Sequence, residues 1–189
     1  EWDGPAVRRL LASPQKRAAL IENLRQDVKK QGYAGINIYF EKVRAEDKRR
    51  FTQFIKELSF AFHQDGLKVI HSVPIHDPAY DLLALSKYAD YLDIILHEEH
   101  HKEGSPGPVA SFDWVKQSLE NLPVPPSKRI ISLGTYGYDW TVGKQTPAES
   151  LTFDQVMLLA RQHDLKIEWD RASNNPTLRY KKGNEEHIV

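Results

Sequence analysis

Gly35-Ile36-Asn37-Ile38-Tyr39-Phe40-Glu41 decides the fold. It is short, apolar and β-branched, opened by a glycine and closed by a carboxylate, and it reads as a buried strand. Strand side chains alternate faces, so Ile36, Ile38 and Phe40 share one face and Asn37, Tyr39 and Glu41 share the other. A core strand that carries polar groups along one face and ends in an acid has a use for them. In parallel α/β proteins the C-terminal strand ends are where chemistry sits.

Before this strand, residues 1 to 13 read as irregular. Ser13-Pro14 then forms a helix entry, with serine as N-cap and proline at the first helical position. Leu20, Ile21, Leu24 and Val28 recur at three- and four-residue steps and predict an amphipathic helix to about Lys30, ended by Gly32. After Glu41, Phe51, Ile55, Leu58 and Phe62 form the stripe of a helix over 46–64, with Gly66 at its end. Leu67–Val73 reads as a second strand, Pro78 opens a helix to about Tyr88, and Tyr91–Leu96 is a third strand. A polar loop covers 97–110, residues 111–121 predict a helix, and Arg129–Gly134 is a fourth strand. Strands and helices alternating at steps of roughly 25–40 residues predict βαβ units and a parallel sheet.

The tail breaks that rhythm. A helix over 152–163, an extended run at 166–169, a turn at Asn174-Asn175-Pro176 and a hairpin of 177–180 with 185–189 make a small α+β piece. The expected division is 1–149 for the α/β body and 150–189 for this subdomain.

Lysine plus arginine and aspartate plus glutamate are 26 each in 189 residues, so the formal charge is zero and nothing argues for a nucleic-acid partner. No apolar run reaches the ~20 residues of a membrane helix. Cysteine is absent, which excludes disulfides and thiolate metal sites. The sequence begins without Met and stops inside His187-Ile188-Val189, and it is read as a piece of a longer protein.

Polar groups gather where each predicted strand ends: Glu41; His71 and Ser72; His97, Glu98 and Glu99; Tyr136, Tyr138, Asp139 and Trp140. Acids with aromatics suit carbohydrate, because carboxylates bond hydroxyls or transfer protons and rings stack on sugar faces. For any one residue, an ordinary polar loop or core aromatic is the simpler account. The recurrence after all four strands favours a site. His97-Glu98-Glu99-His100-His101 matches H-E-x-x-H, but that zinc motif needs a helix to put both histidines on one face. Here an extended run precedes it and Gly104-Ser105-Pro106-Gly107-Pro108 follows. A zinc hydrolase using His97 and His101 is therefore a remote alternative, and no metal or other cofactor is expected.

These residues resemble glycoside hydrolase family 18, the chitinase family. Its barrel strand four carries D-x-x-D-x-D-x-E, and Ala34, Asn37, Tyr39 and Glu41 stand at the four marked positions. Ile95-Leu96-His97-Glu98 stands where strand six carries a Met-x-Tyr-Asp motif, and Tyr136-Gly137-Tyr138-Asp139-Trp140 matches the end of strand seven. The tail is similar to the α+β insertion that many members carry before strand eight. The resemblance implies a partial TIM-type (β/α)8 barrel, about strands four to seven, since a whole barrel needs about 250 residues. It is closest to domains of bacterial envelope proteins, some fused to a polysaccharide deacetylase and a glycosyltransferase. That implies an extracytoplasmic place, in the periplasm or cell envelope.

The family's mechanism is substrate-assisted. The resemblance implies Glu41 as general acid and Glu98 as a second carboxylate. It implies Asn37, Tyr39, His97, Tyr136, Tyr138, Asp139 and Trp140 as substrate-binding residues. Tyr39 stands where the family's Asp orients the substrate's acetamido group, and a neutral phenol brings no negative charge. Asn37 replaces the deeper Asp, and His97 replaces a Tyr. Two functions follow: binding of a β-linked N-acetylhexosamine polysaccharide with weak hydrolysis, or a non-catalytic sugar-binding scaffold in an envelope polysaccharide-processing protein.

Overall fold

A computed structural model describes residues 4–41 and 43–189. Four strands lie side by side in sequence order: β1 (Gly35–Ile38), β2 (Lys68–Pro74), β3 (Tyr91–Ile95) and β4 (Arg129–Ser132). β1 pairs parallel with β2 and β2 with β3, in a register that sets Asn37 opposite Ile70 and Ser72 opposite Asp93. Helices α2 (Pro14–Gln31), α3 (Lys48–His63), α4 (Leu82–Tyr88) and α5 (Phe112–Glu120) alternate with the strands in the chain, and a further helix, α1 (Gly4–Ala12), precedes them. Gly35 is needed at the head of β1, where an added Cβ would lie 2.1 Å from Lys68 O.

The chain divides into two compact units, Glu1–Ile95 with Pro123–Ile131, and Leu96–Leu122 with Ser132–Val189. In the first, alternation sorts β2 and β3. Val69, His71, Val73, Leu92 and Ile94 are fully buried, as are Phe51, Phe54, Ile55, Leu58 and Phe62 of α3. Each such apolar side chain contributes about 1.5–3 kcal/mol on burial. The other face carries Asn37, Ile70, Ser72 and Asp93.

Two predicted boundaries hold in detail. Ser13 Oγ accepts from Lys16 N at 3.3 Å with Pro14 starting α2, and Gly32 ends it at φ 69°. Two elements differ. Residues 4–12 are helical, because Leu11 is fully buried and the Arg17 guanidinium, paired with Glu57 at 2.8 and 2.9 Å, donates to Leu11 O at 2.7 Å. α4 starts at Leu82, not at Pro78. Asp77 first makes a turn through Ala79 N and Tyr80 N, and Asp81 then caps the helix by accepting from Ala84 N at 2.9 Å.

The second unit is built on an antiparallel sheet of β5 (Tyr136–Thr141), β6 (Glu149–Thr152), β9 (Arg179–Lys182) and β10 (Glu185–Ile188), in the order β6-β5-β10-β9. α6 (Phe153–Gln162) follows β6 through a capping box between Thr152 and Gln155. The predicted hairpin is the β9–β10 pair. The expected boundary at 149/150 falls inside β6, whose residues pair with β5 from Tyr136↔Thr152 to Asp139↔Glu149. The expected turn at 174–176 is shifted: Asn174 at φ 56° ends it, and Asn175-Pro176-Thr177 form β8, paired with β7 (Glu168–Asp170).

Candidate active site

In the first unit the site begins where β1 ends. Asn37 Nδ2 donates to Ser72 Oγ at 2.9 Å, and Ser72 donates to Asp93 Oδ2 at 2.7 Å. A line of hydrogen bonds thus crosses three strands on one face. Asp93 escaped the sequence reading, although the alternation of Tyr91-Leu92-Asp93-Ile94-Ile95 was signal enough to place it beside Ser72.

Past the ladder, Tyr39 is 39% exposed and Glu41 half-buried. The Tyr39 phenol is raised above its ordinary value by burial, then by the charge of Glu41 and a hydrogen bond to its carboxylate, with a smaller effect from Asp77. Tyr39 is thus a neutral donor to Glu41. Asp77, on the loop after β2, also acts on Tyr80, whose phenol is raised by burial first and then by Asp77, Tyr39 and Glu41. Nothing in the sequence singled Asp77 out, because loop geometry alone brings it near these groups.

His71 does not join Ser72. One residue earlier on β2, it faces the helix side, fully buried against Phe51 with ring centroids 4.9 Å apart. Burial lowers its pKa to about 4, and its Nδ1 donates to Ile38 O at 2.7 Å.

In the second unit the corresponding cluster forms on the segment after β3. The Tyr136 hydroxyl donates to Glu98 Oε1, and the Tyr138 hydroxyl donates to the same oxygen at 2.6 Å. With its proton directed to Glu98, the Tyr136 oxygen accepts from His97 Nδ1 at 3.0 Å. Burial, then Glu98, raises both phenols, Tyr138 to about 12, so each is a donor at neutral pH. Glu98 itself sits at φ 71°, a left-handed conformation costly for a residue with a Cβ.

The other two expected sugar contacts in β5 are placed elsewhere. Asp139 points to the opposite face, where Oδ2 accepts from Tyr180 at 2.5 Å and Oδ1 faces His187 Nδ1 at 2.9 Å. Trp140 is 5% exposed, edge-on to Tyr138 and donating to Gly104 O at 3.2 Å. It supports Tyr138 from below and offers no open face for stacking. In the sequence, Thr135–Trp140 reads as a polar motif following a strand. As a strand, its alternation separates Tyr136, Tyr138 and Trp140 from Asp139.

The segment 97–111 is an irregular loop, tied at its base where Glu99 accepts from Ser111 N at 2.5 Å and Ser111 Oγ at 2.9 Å. His97 faces Tyr136, while His101 lies 3.3 Å from Glu103. Among the described residues, no group of three His, Asp or Glu side chains could hold a metal ion. A cavity of about 1000 Å³ in this unit is lined by Val109, Phe112, Leu133, Tyr136, Phe153 and Trp169, among others.

The family model of Glycosyl hydrolases family 18 matches residues 3–186, and the chain belongs to that family. It is 29% identical over 201 residues to an uncharacterized glycosylase, YvbX, of Bacillus subtilis, covering 100% of this chain and 58% of the relative. The crystal structure of the putative sporulation-specific glycosylase ydhD from Bacillus subtilis superposes with TM-score 0.93 at 27% identity, over 98% of this chain and 66% of that one. A chitinase from Chromobacterium violaceum superposes with TM-score 0.90 at 28% identity, over 100% of this chain and 62% of that one. The chain spans about half the length of the curated relatives it matches. The fold is α/β, and the parallel sheet is part of the TIM-type (β/α)8 barrel of these chitinases.

Proposed function

We propose that this domain binds a β-linked N-acetylhexosamine polysaccharide, of chitin, peptidoglycan or poly-N-acetylglucosamine type, and hydrolyses it weakly with Glu41 as general acid. The observation that carries the reading is the Tyr39 hydroxyl on the Glu41 carboxylate. In substrate-assisted hydrolysis the acid protonates the glycosidic oxygen, while the substrate's own acetamido oxygen attacks the anomeric carbon. Glu41 takes up a proton from solvent when substrate displaces the phenol, and in that neutral form it can deliver it to the glycosidic oxygen. Tyr39 can orient the acetamido group by hydrogen bonding, but being neutral it leaves the developing positive charge unbalanced. Losing such electrostatic stabilisation costs about 10²–10³ in rate. Asn37, held by Ser72, and the His97, Glu98, Tyr136 and Tyr138 cluster supply directed donors and acceptors of the kind a sugar needs.

The neutral phenol beside the acid also favours a second reading, a sugar-binding scaffold without turnover. One experiment separates them: hydrolysis of a fluorogenic N-acetylglucosamine oligomer by the full-length protein beside its Glu41→Gln variant. Cleavage by the parent and none by the variant supports Glu41 as acid. Binding without cleavage in both supports the scaffold, and no binding in either defeats both readings.

The relatives' names, glycosylase, chitinase and cortical fragment-lytic enzyme, support a glycan ligand. We extend the proposal to an extracytoplasmic place in the envelope, with fused deacetylase or glycosyltransferase domains as partners in the full-length protein.

A further inference from the structure

We propose that His71 and Tyr80 are positioning residues for Glu41, gripping the backbone on either side of Tyr39 through two carbonyl oxygens. The inference rests on the reading of Glu41 as the acid.

The paired register of β1 with β2 stops at Ile38, opposite His71. Tyr39, Phe40 and Glu41 therefore lie beyond the ladder that fixes the rest of the strand. Two side chains take over. His71 Nδ1 donates to Ile38 O at 2.7 Å, and the Tyr80 hydroxyl donates to Phe40 O. The ring of Phe40 is clamped as well, 5.5 Å from Phe54 in a stack and 5.8 Å from Phe51. With Ile38 and Phe40 held on the helix side, alternation directs Tyr39 and Glu41 to the other side.

The choice of residues is informative. His71 is fully buried and its Nε2 has no partner, a desolvation cost that a phenylalanine of similar shape would avoid. What the imidazole adds is the Nδ1 proton aimed at Ile38 O. The depressed pKa of about 4 keeps the ring neutral through the physiological range, with that proton in place. Tyr80, 6% exposed, sits edge-on to Phe51 at 5.4 Å, so its ring belongs to the core and only its hydroxyl reaches the strand end.

The test uses Tyr80→Phe and His71→Phe in the full-length protein, each keeping a ring in the core and deleting one donor. Glutamate labelled with ¹³C at the side-chain carboxyl reports Glu41 by NMR, the resonance being assigned by its loss in Glu41→Gln. We expect the Glu41 resonance to move in both variants while those of the other glutamates stay in place. We also expect kcat on the fluorogenic oligomer to fall by up to about 100-fold, the cost of a small misplacement, with KM nearly unchanged. A Glu41 resonance unmoved in both variants would overturn the proposal, leaving His71 and Tyr80 as packing residues. If one variant fails to fold, the other is judged by the same criterion. A parent without hydrolysis defeats the acid reading of Glu41, and the resonance still decides whether the two residues position it.

Discussion

The hydroxyl of Tyr138 and the carboxylate of Glu98 meet at 2.6 Å, on the same Oε1 that accepts from Tyr136. One carboxylate oxygen thus organises two phenols, and their titration should depend on it. Tyr138 is raised to about 12 by burial first and then by Glu98. Glu98→Gln deletes the charge and leaves the burial. The onset of phenolate absorbance in an alkaline ultraviolet titration should move to lower pH, towards the ordinary value of about 10. An unchanged onset would show that these phenols do not sense Glu98.

If Glu41 acts as proposed, Tyr39 stands where substrate-assisted hydrolysis calls for a negative charge. Tyr39→Asp should raise hydrolysis of an N-acetylglucosamine oligomer by about 10²–10³, the usual worth of one such electrostatic group. Turnover measured in the full-length protein checks it. No gain would mean that the acid itself, and not its neighbour, limits the rate.

The two predictions draw on different depths of legibility. The parallel strands and α3 were readable because Ile36, Ile38, Phe51, Ile55, Leu58 and Phe62 carry strong two- and three-to-four-residue periodicity, and packing agrees with it. α1 was not readable, since its nine residues are helical by virtue of Leu11 and a contact from Arg17 made across the fold. Glu41 and Glu98 stand out in the sequence because they close apolar runs. Asp93 and Asp77 were missed, the first by neglect of alternation and the second because a loop places it. Asp139 and Trp140 were misplaced for the reason that moved the start of the second sheet to Tyr136: six residues rich in tyrosine and tryptophan look like a binding loop until pairing with β6 and β10 makes them a strand.

Burial distinguishes the tryptophans. Trp140 is 5% exposed within a cluster with Tyr138 and Ala148, whereas Trp169 is 62% exposed. Trp140→Ala should cost about 3–5 kcal/mol, by the loss of buried contacts and the cavity left behind. Trp169→Ala should stay within about 0.5 kcal/mol. Urea melts of the two variants check this, and equal losses would contradict the difference in burial.

Asp90 ties three elements of the first unit. Its carboxylate accepts from Lys68 Nζ at 2.7 Å and Val69 N at 2.9 Å, and His63 Nε2 lies 2.8 Å away. Burial alone would raise its pKa, but these partners outweigh it and hold the group down from 3.8 to about 2. A depressed carboxylate stabilises the fold above its unfolded value and loses that contribution as pH falls through the folded one. The window is therefore pH 4 down to pH 2, and the amount is on the order of 2 kcal/mol. Asp90→Asn should flatten this part of the acid-stability curve, followed by denaturant melts at successive pH values. A variant curve parallel to the parent's would remove Asp90 from the account.

The left-handed backbone at Glu98 has a consequence for how this domain changes under selection. A residue with a Cβ at φ 71° gives up about 1–2 kcal/mol that glycine would recover. Glu98→Gly would relieve that strain but leave the two phenols without their shared acceptor, a cost that opposes the gain. Backbone strain and hydrogen bonding thus pull on position 98 in opposite directions, and selection for heat tolerance alone would not clear the carboxylate.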